Sequence, residues 1–474
     1  MGGAFVYDGS PFCEVPMYKL FQRSAHSSED ANSWERLFGK LMTPIEDFTR
    51  NSSASGILLL MCTVAALLVA NSPWGDAYRH LLHAPLAVSF AGHALEMPLH
   101  HWVNDGLMTL FFFLVGLEIK HEMMVGELSS PAQAALPIIA AVGGMIAPAL
   151  VYSAINWGGV GMPGWGIPMA TDIAFAIAVL ILLGKRVPSG LVTILVALAI
   201  VDDLGAVVVI ALFYTADIHV LPLVAAFVCF ALQLAMNRFG IRRLWPYLLV
   251  AMAMWLLMLY SGVHATIAGV LGALATPVRS LYNPGEFSRE ARKLLDKFDI
   301  YRLREGDFLE SDKLVGVLHT LHNGINQAQA PLQRLEHALH GPVYFVIIPL
   351  FAFFNAGVTI NAASLANLVS HPVSLGVIAG LVIGKFVGVF SAVWLSVRLG
   401  IGRLPKGVNF RHICGMGLLA GIGFTMSIFI SELAFKNEDL LLNNAKIAIL
   451  VASIIASLAG YVWLRLCNNG DNHS

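Results

Sequence analysis

Charged side chains are scarce in this chain. Only 12% of its 474 residues are charged, whereas soluble globular proteins carry about 25%. The formal net charge is −1, so the chain lacks the strong basic or acidic field that attracts nucleic acid. Together with a hydrophobic content of 57%, this scarcity of charge excludes a soluble globular domain and predicts an all-α polytopic membrane protein with no nucleic-acid partner.

Cysteine pairs and zinc motifs are also missing. The five cysteines are dispersed and none forms a CxxC pair, which excludes a disulfide framework and a zinc site built on that motif. The segment "HEMMV" at 121–125 lacks the second histidine of HExxH, the zinc-protease motif. We therefore expect reduced cysteines and no cofactor. The first 40 residues also lack a basic region followed by an apolar core, so no cleavable signal peptide is expected.

Twelve apolar runs are long enough to form helices that cross a bilayer. A charged segment at 279–335 separates the first eight runs from the last four and is interpreted as a solvated helical insert. The predicted spans lie at about 55–71, 103–120, 132–156, 167–184, 190–214, 219–236, 245–260, 262–277, 342–360, 372–397, 412–432 and 444–464.

Basic residues concentrate in every second connection between these spans. Lys185 and Arg186 follow the fourth span, for example, whereas "NWGGVGMPGWG" after the third has no basic residue. The positive-inside rule then places both termini and the insert in the cytoplasm. The predicted divisions are a tail, eight spans, the insert, four spans and a second tail, at 1–50, 51–278, 279–335, 336–466 and 467–474.

The connection between the first two spans has the alternation of a β-hairpin. Leu86 and Val88 mirror Leu95 and Met97 about the pair Ala91-Gly92. An exposed hairpin edge is able to pair with a second copy of the chain, so we also predict a homodimer. An ordinary loop remains the alternative.

Five ionisable residues stand out against the apolar runs: Asp105, Asp172, Asp202, Asp203 and Lys385. An aspartate at the centre of a membrane helix costs roughly 2.5–3.5 kcal/mol on insertion scales, so such residues are functional candidates. For Asp105, near the end of a span, we favour a structural residue that neighbouring groups satisfy. The other carboxylates need another explanation, because one lysine cannot neutralise three of them.

Asp202 and Asp203 are adjacent within the apolar run "LVTILVALAIVDDLGAVVVIALF". Adjacent helical residues point about 100° apart, which allows one carboxylate to face Lys385 while the other faces a water-filled cavity. Two carboxylates this close titrate as a coupled pair. Hard cations prefer oxygen ligands, so a cation and protons would compete for the same oxygens. The pair therefore predicts a cation/proton exchange site in which Asp202 and Asp203 hold the metal ion.

Two of the predicted spans carry signals of an interrupted helix. In "GWGIPMATDIAFAIAV", Pro168 precedes the Thr171-Asp172 step, and "GMGLLAGIGFTMSIFI" is rich in glycine and ends in Thr425. Broken helices in corresponding halves of a chain are typical of inverted-repeat transporters, whose site lies at the membrane midplane. The alternative is that the glycines only permit close helix packing.

Long segments of the chain resemble the NhaA-type bacterial Na⁺/H⁺ antiporters, in family order and over residues 51–466. This resemblance implies a bacterial inner-membrane protein with twelve membrane helices, inverted-topology repeats, two crossed and interrupted helices, and a dimer formed through the external hairpin. The matching segments are "VNDGLMTLFFFLVGLEIKHEMMVGEL", "AALPIIAAVGGMIAPALVY", "IPMATDIAFAIAVLILLGKRVP", "ALAIVDDLGAVVVIALFYT", "SGVHATIAGVLGA", "RLEHALH", "PLFAFFNAGV" and "GIGFTMSIFISELAF".

The resemblance also implies roles for individual residues. Asp202 and Asp203 would bind the cation and protons, Lys385 would face them, and Thr171 and Asp172 would lie at the helix break. A further set would line a cytoplasmic mouth used for pH activation: Glu118, Lys120, Glu122, Glu336, His337 and His340.

The chain departs from the family pattern at two positions. Phe386 follows Lys385 where the family commonly has proline, and His121 replaces a basic residue. His264, in "SGVHATIAG", is interpreted as a hydrogen-bonded core histidine, although the family resemblance allows a part in the pH response.

The predicted function is exchange of cytoplasmic Na⁺ or Li⁺ for external H⁺ by alternating access. We expect an electrogenic, pH-activated antiporter that serves sodium extrusion and pH homeostasis and is not an enzyme. Lys385 is an alternative proton carrier in this cycle. Two other functions remain open: an intramembrane aspartyl protease using Asp172 with Asp203, for which no GxGD motif is present, and a cation channel.

Overall fold

The computed structural model describes residues 52–467 except 91–92, 127, 216–217, 281–283, 306–311 and 361–366. The tail predicted at 1–50, and all of the predicted tail 467–474 but its first residue, lie outside the described residues.

The first half of the described chain is helical apart from one pair of strands. Its strands are β1 (Pro85–Phe90) and β2 (His93–Pro98). Its helices are α1 (Ser52–Ala70), α2 (Gly75–His83), α3 (Leu99–Met124), α4 (Pro131–Ile155), a 3₁₀ helix (Met162–Met169), α5 (Ile173–Leu183), a 3₁₀ turn (Gly184–Arg186), α6 (Ser189–Phe213), α7 (Val220–Arg238), α8 (Leu244–Ser261) and α9 (Thr266–Ala275).

The second half contains only helices among its described residues. They are α10 (Pro284–Glu305), α11 (Asp312–Ala328), α12 (Pro331–Asn355), α13 (Pro372–Arg398), α14 (Phe410–Ala420), α15 (Phe424–Ala434) and α16 (Asp439–Cys467). Three of the long helices include one π-helical turn each, at Trp102–Leu107 in α3, Val343–Ile347 in α12 and Gly380–Gly384 in α13.

The helix ends follow from local sequence. Pro131 and Pro372 occupy the first turns of α4 and α13, where a missing N–H costs nothing. The side chain of Asn409 caps α14 by accepting from the His412 N–H. Gly262 follows α8 with φ +82°, a left-handed conformation that glycine adopts without strain.

The described residues contain nine helices that are long and apolar enough to cross a membrane. The number rises to eleven if the bent pairs α1–α2 and α14–α15, with angles of 113° and 44°, each count as one span. The prediction of an all-α multi-pass membrane protein is therefore confirmed at this level. The short apolar helix α9 falls outside the count because it has only 10 residues.

The predicted hairpin forms with the predicted register. β1 and β2 are antiparallel, with Leu86 opposite Met97 and Val88 opposite Leu95. The prediction is confirmed. The register could be predicted because the alternation of apolar residues decides which face of each strand a side chain occupies.

In the charged segment, the described residues form α10 and α11, which pack against each other, and the first turn of α12. Leu314 and Val317 of α11 are buried. The next helix, α12, begins at Pro331, about eleven residues before the apolar run predicted at 342–360. The first turns of α12 are apolar on one face only, where Leu332 and Leu335 are buried. A search for continuous apolar runs therefore misses them.

Helices α4 and α13 pack closely where both carry glycine. A Cβ atom on Gly388 of α13 would meet the Gly143 carbonyl oxygen of α4, and one on Gly384 would lie 2.6 Å from the Pro148 Cα. The absence of side chains lets the backbones approach each other. This approach brings Lys385, next to Gly384, against the 3₁₀ helix and α6.

Candidate cation-binding site

Two interrupted helices meet inside the bundle. The 3₁₀ helix ends at Met169, and the chain is extended at Ala170 and Asp172 before α5 begins. Between α14 and α15 the break lies at residues 421–423. The Asp172 N–H donates to the Ile422 carbonyl at 2.6 Å, so each break supplies partners for the other. Backbone N–H and C=O groups at a helix break inside a membrane need such partners, because no water is there to pair with them.

Asp172 lies at the N-terminal ends of both α5 and α15. Its Oδ1 accepts from the Phe175 N–H of α5 at 3.0 Å. Its Oδ2 accepts from the Thr425 N–H at 3.1 Å and from the Thr425 hydroxyl at 2.5 Å. A carboxylate in this position satisfies unpaired helix donors and complements two positive dipole ends. Asp172 therefore has the surroundings of a residue that holds the two breaks together.

Lys385 is fully buried and its ammonium group is already paired. Its Nζ lies 2.6 Å from Asp202 Oδ2 and also donates to the Met169 carbonyl, at the C-terminal end of the 3₁₀ helix. The predicted approach of Lys385 to the aspartate pair is thus present in the structure. The lysine neutralises Asp202 rather than Asp203.

Thr171 completes the surroundings of Asp202. Its hydroxyl lies 2.8 Å from Asp202 Oδ2 and 2.9 Å from the Ala420 carbonyl oxygen. A hydroxyl has one proton, so it donates to one of these acceptors at a time. When it donates to Ala420, its lone pairs are available to another group at Asp202.

Asp203 is the contrasting member of the pair. It is 1% exposed, and among the described residues nothing donates a hydrogen bond to its Oδ1. The Oδ1 of Asp202 is buried and unpartnered as well. Burying an unpaired carboxylate is expensive, so such a group is expected to be protonated or to hold a cation. The two free oxygens belong to consecutive residues and are candidate ligands for a small ion or a proton.

The residues of the predicted mouth separate into two groups. Glu118 interacts electrostatically with Glu122 and Glu336, so these three carboxylates share one region where α3 meets α12. His121 Nδ1 lies 2.8 Å from Glu336 Oε2 and joins the two helices.

His337 and His340 lie on the following turns of α12. His337 is exposed, with its Nδ1 2.9 Å from the Gln333 carbonyl oxygen of the same helix. His340 is also exposed but stacks on Tyr344, with ring centroids 4.5 Å apart. Lys120 donates to the Leu274 and Thr276 carbonyls at the C-terminal end of α9.

Asp105 lies in a separate cluster. Its carboxylate oxygens are 3.4 Å from His101 Nδ1 and 3.4 Å from His264 Nε2. Asp105 thus has the neighbouring partners expected of a structural residue. His264 also contacts the Thr266 hydroxyl at 2.8 Å, as expected of a hydrogen-bonded histidine.

Sequence reasoning missed three contributors to the site. Thr425 marks the end of the glycine-rich motif, but its contact with Asp172 depends on the fold. The Met169 carbonyl could not be identified from the sequence, because every residue has a backbone carbonyl group. Tyr344 interacts electrostatically with Asp203 although it lies in a different part of the chain. Its four-residue spacing from His340 was the only signal available.

A family model described as Na+/H+ antiporter 1 matches residues 46–464, most of the chain. The chain belongs to this family. An Na(+)/H(+) antiporter NhaA of Sulfurimonas denitrificans is 50% identical over 439 residues, covering 93% of this chain and 99% of the relative. The Dichelobacter nodosus protein of the same name is 52% identical over 445 residues, covering 94% and 96%.

Family membership confirms the resemblance that the sequence motifs predicted. Members of the Na⁺/H⁺ antiporter 1 family are transporters, so this chain is a transporter and not an enzyme. The alternative of an intramembrane aspartyl protease is therefore wrong. Asp172, which that alternative required as a catalytic acid, instead accepts three hydrogen bonds at the helix breaks.

Proposed function

We propose that the chain exchanges Na⁺, or Li⁺, for H⁺ across the bacterial inner membrane, with the cation and protons competing for Asp203 and Asp202. The observation that supports this most directly is the asymmetry of the pair. Lys385 neutralises Asp202, whereas Asp203 is buried with no donor to its Oδ1 among the described residues. The named function of the relatives points to the same ions.

The proposed cycle begins with deprotonated Asp203 facing the cytoplasm. Na⁺ binds between Asp203 Oδ1 and Asp202 Oδ1, the two unpartnered oxygens. Its charge weakens the attraction of Lys385 to Asp202, and the ammonium keeps the Met169 carbonyl as an acceptor. Thr171 donates to Ala420 and turns a lone pair towards the ion. After the site opens outward, protons displace Na⁺.

Charge movement follows from how many protons the site carries. If two protons replace one Na⁺, each cycle moves one net charge, and the membrane potential drives exchange as well as ΔpH. Two carboxylates, or Asp203 together with Lys385, provide that capacity. We therefore propose an electrogenic antiporter that extrudes sodium and contributes to pH homeostasis.

Alternating access requires a bundle with two movable halves. We propose twelve crossings: the nine long helices, the two bent pairs and the short α9. In this arrangement the two interrupted helices belong to inverted repeats, and both termini with the segment 279–335 lie in the cytoplasm. The carboxylates Glu118, Glu122 and Glu336, with His337 and His340, then form the pH-responsive cytoplasmic mouth. The external hairpin joins two copies in a homodimer.

The decisive experiment is Asp203→Asn in everted membrane vesicles. We expect addition of Na⁺ or Li⁺ to collapse ΔpH with the native protein and to have no effect with the variant, because the amide cannot carry the proton or the negative charge. Asp296→Asn, an exposed substitution on α10, is the matched control and should behave as native. Unchanged ΔpH dissipation by Asp203→Asn would remove this residue from the mechanism, and Na⁺ flux without H⁺ coupling would indicate a channel.

A further inference from the structure

Four histidines and one aspartate form a row that runs from the base of the hairpin into the bundle. This histidine row consists of His83, His100, His101, Asp105 and His264. The ring centroids of His83 and His100 lie 5.0 Å apart, and those of His100 and His101 lie 4.3 Å apart. Asp105 has one carboxylate oxygen 3.4 Å from His101 Nδ1 and the other 3.4 Å from His264 Nε2. The proposed cation cycle uses none of these groups.

The hairpin accounts for the outer end of the row. Next to the paired strands, the Leu99 N–H donates to the Ala84 carbonyl at 3.0 Å, which brings together His83 at the end of α2 and His100 at the start of α3. His100 Nδ1 lies 3.0 Å from the Leu82 carbonyl oxygen. Because a carbonyl only accepts, Nδ1 carries the hydrogen, and Nε2 is the nitrogen of the neutral ring that takes up a proton.

A π-helical turn of α3, Trp102–Leu107, holds Asp105 in the row. The Asp105 carbonyl accepts from the Thr109 hydroxyl at 2.5 Å and from the Trp255 indole N–H at 2.8 Å. The backbone is thus paired separately, and the carboxylate is left to face the two histidines. Single π-helical turns within α-helices are frequent at functional sites.

Exposure decreases along the row. His83 is exposed, whereas the side chains of His101, Asp105 and His264 are 39%, 18% and 11% exposed. The His264 ring meets the fully buried ring of Phe429 edge to face, with centroids 5.3 Å apart. The row therefore leads from the surface to a buried ring of α15.

The inner end of the row lies next to a helix that contributes to the cation site. Phe429 follows Thr425 by four residues, or one turn of α15, and the Thr425 hydroxyl donates to Asp172 at 2.5 Å. Phe429 also contacts the rings of Phe112 and Phe351. One turn of α15 thus connects the contact with the row to the contact with the helix break.

Two charged groups on other elements act on the row. Glu432 of α15, itself paired with Lys446 at 2.5 Å, interacts electrostatically with His100, and Lys436 interacts with the inner end of the row. With neutral rings and an ionised Asp105, the row carries one negative charge. An imidazolium beside the carboxylate is stabilised by it, whereas two imidazoliums in contact repel each other. The row is therefore suited to hold one proton.

We propose that the histidine row takes up protons from the external medium and holds one beside Asp105 for the outward-open step of exchange. This inference rests on the proposed function, which places the hairpin outside. Histidine is suited to the task because it gains and loses protons near neutral pH. A proton that binds the outer rings moves to His101 or His264, and each ring that it leaves becomes neutral again. Asp105 supplies the counter-charge throughout.

The test is His101→Gln, which removes the ring between His100 and Asp105. In right-side-out vesicles loaded with radioactive Na⁺, efflux into a weakly buffered alkaline medium should slow about threefold to tenfold, less than the roughly hundredfold loss of a sole proton-transfer group, because the rest of the row remains. External HEPES, a membrane-impermeant buffer, should restore the native rate by carrying protons to Asp105. His80→Gln removes an exposed histidine of α2 outside the row and should behave as native in both media.

Three results would overturn the inference. Native efflux by His101→Gln in weak buffer, while Asp203→Asn abolishes exchange, would exclude the row and leave the proposed function standing. A slow rate that HEPES does not restore would give His101 a structural role only. Restoration by HEPES loaded inside the vesicles, but not by HEPES outside, would place the row on the cytoplasmic side. Exchange that survives Asp203→Asn would instead contradict the proposed function itself, whatever His101→Gln does.

Discussion

Asp202 and Asp203 are neighbours in sequence but have different surroundings. Asp202 receives Lys385 and Thr171 on one oxygen, whereas Asp203 Oδ1 receives nothing from the described residues. The difference follows from the helix, because adjacent side chains point about 100° apart and only one of them faces α13. Asp202 is thereby partly neutralised by the protein, and Asp203 is left for the exchanged ions.

The ion pair makes a prediction about stability at the residue scale. Lys385→Met leaves Asp202 buried without its counter-ion, so the free energy of unfolding should fall by about 3–5 kcal/mol. Adding Asp202→Asn removes the uncompensated charge and should recover part of that loss. Thermal unfolding of the two purified variants checks this. A double variant as unstable as the single one would show that packing of the lysine chain, not its charge, stabilises the site.

At the scale of elements, the interrupted helices depend on each other. Asp172 accepts hydrogen bonds from the first turns of α5 and α15, and Ser427 of α15 donates to the Ile167 carbonyl of the 3₁₀ helix at 2.7 Å. Neither break could be satisfied alone inside a membrane. The site is therefore built from paired helix ends, which places polar backbone and charged side chains next to Asp202.

The glycine contact between α4 and α13 makes a prediction about packing. Gly388→Ala should lower the free energy of unfolding by about 1–3 kcal/mol, because the new methyl group would meet the Gly143 carbonyl and lie 2.8 Å from the Ala147 Cβ. Gly316→Ala on α11 is the control, since nothing lies within 4 Å of its Cβ position. Thermal unfolding compares them. Equal melting temperatures for both variants would show that α4 and α13 accommodate the added methyl group without loss of stability.

At the scale of the whole molecule, the two-stranded sheet has no third strand among the described residues. A two-stranded hairpin in water is marginally stable, and its open edges are suited to pairing with another chain. The proposed homodimer uses these edges. Its interface would lie outside the bundle, so each copy would keep its own cation site.

This arrangement is testable by shortening the hairpin. Replacing residues 86–97 with a short Gly-Ser linker should convert the purified dimer to a monomer, because the backbone donors and acceptors of both strands are removed. Size-exclusion chromatography with light scattering measures the mass. Exchange per copy should persist, since Asp202 and Asp203 remain within one chain. A dimer that survives the deletion would show that helix faces, not strand edges, hold the copies together.

The sequence alone determined the membrane class, the hairpin register and the neighbouring acids. These features depend on residues close together in the chain: consecutive apolar side chains, the alternation of Leu86 and Val88 with Leu95 and Met97, and the dipeptide Asp202-Asp203. Proline and glycine also marked both interrupted helices, because they disrupt helical hydrogen bonds locally. Family motifs then pointed to the correct transporter family. Helix α12 was placed too late because its first turns are only half apolar.

Only the tertiary structure decided which groups meet at the site. Lys385 and Asp202 are 183 positions apart, and no local pattern could assign the lysine to Asp202 instead of Asp203. The Met169 carbonyl, the Thr425 contacts with Asp172 and the place of Tyr344 near Asp203 depend on how distant helices pack. The physical reason is that hydropathy and helix breaks are properties of neighbouring residues, whereas a buried charge is compensated by whatever the fold brings within hydrogen-bonding distance.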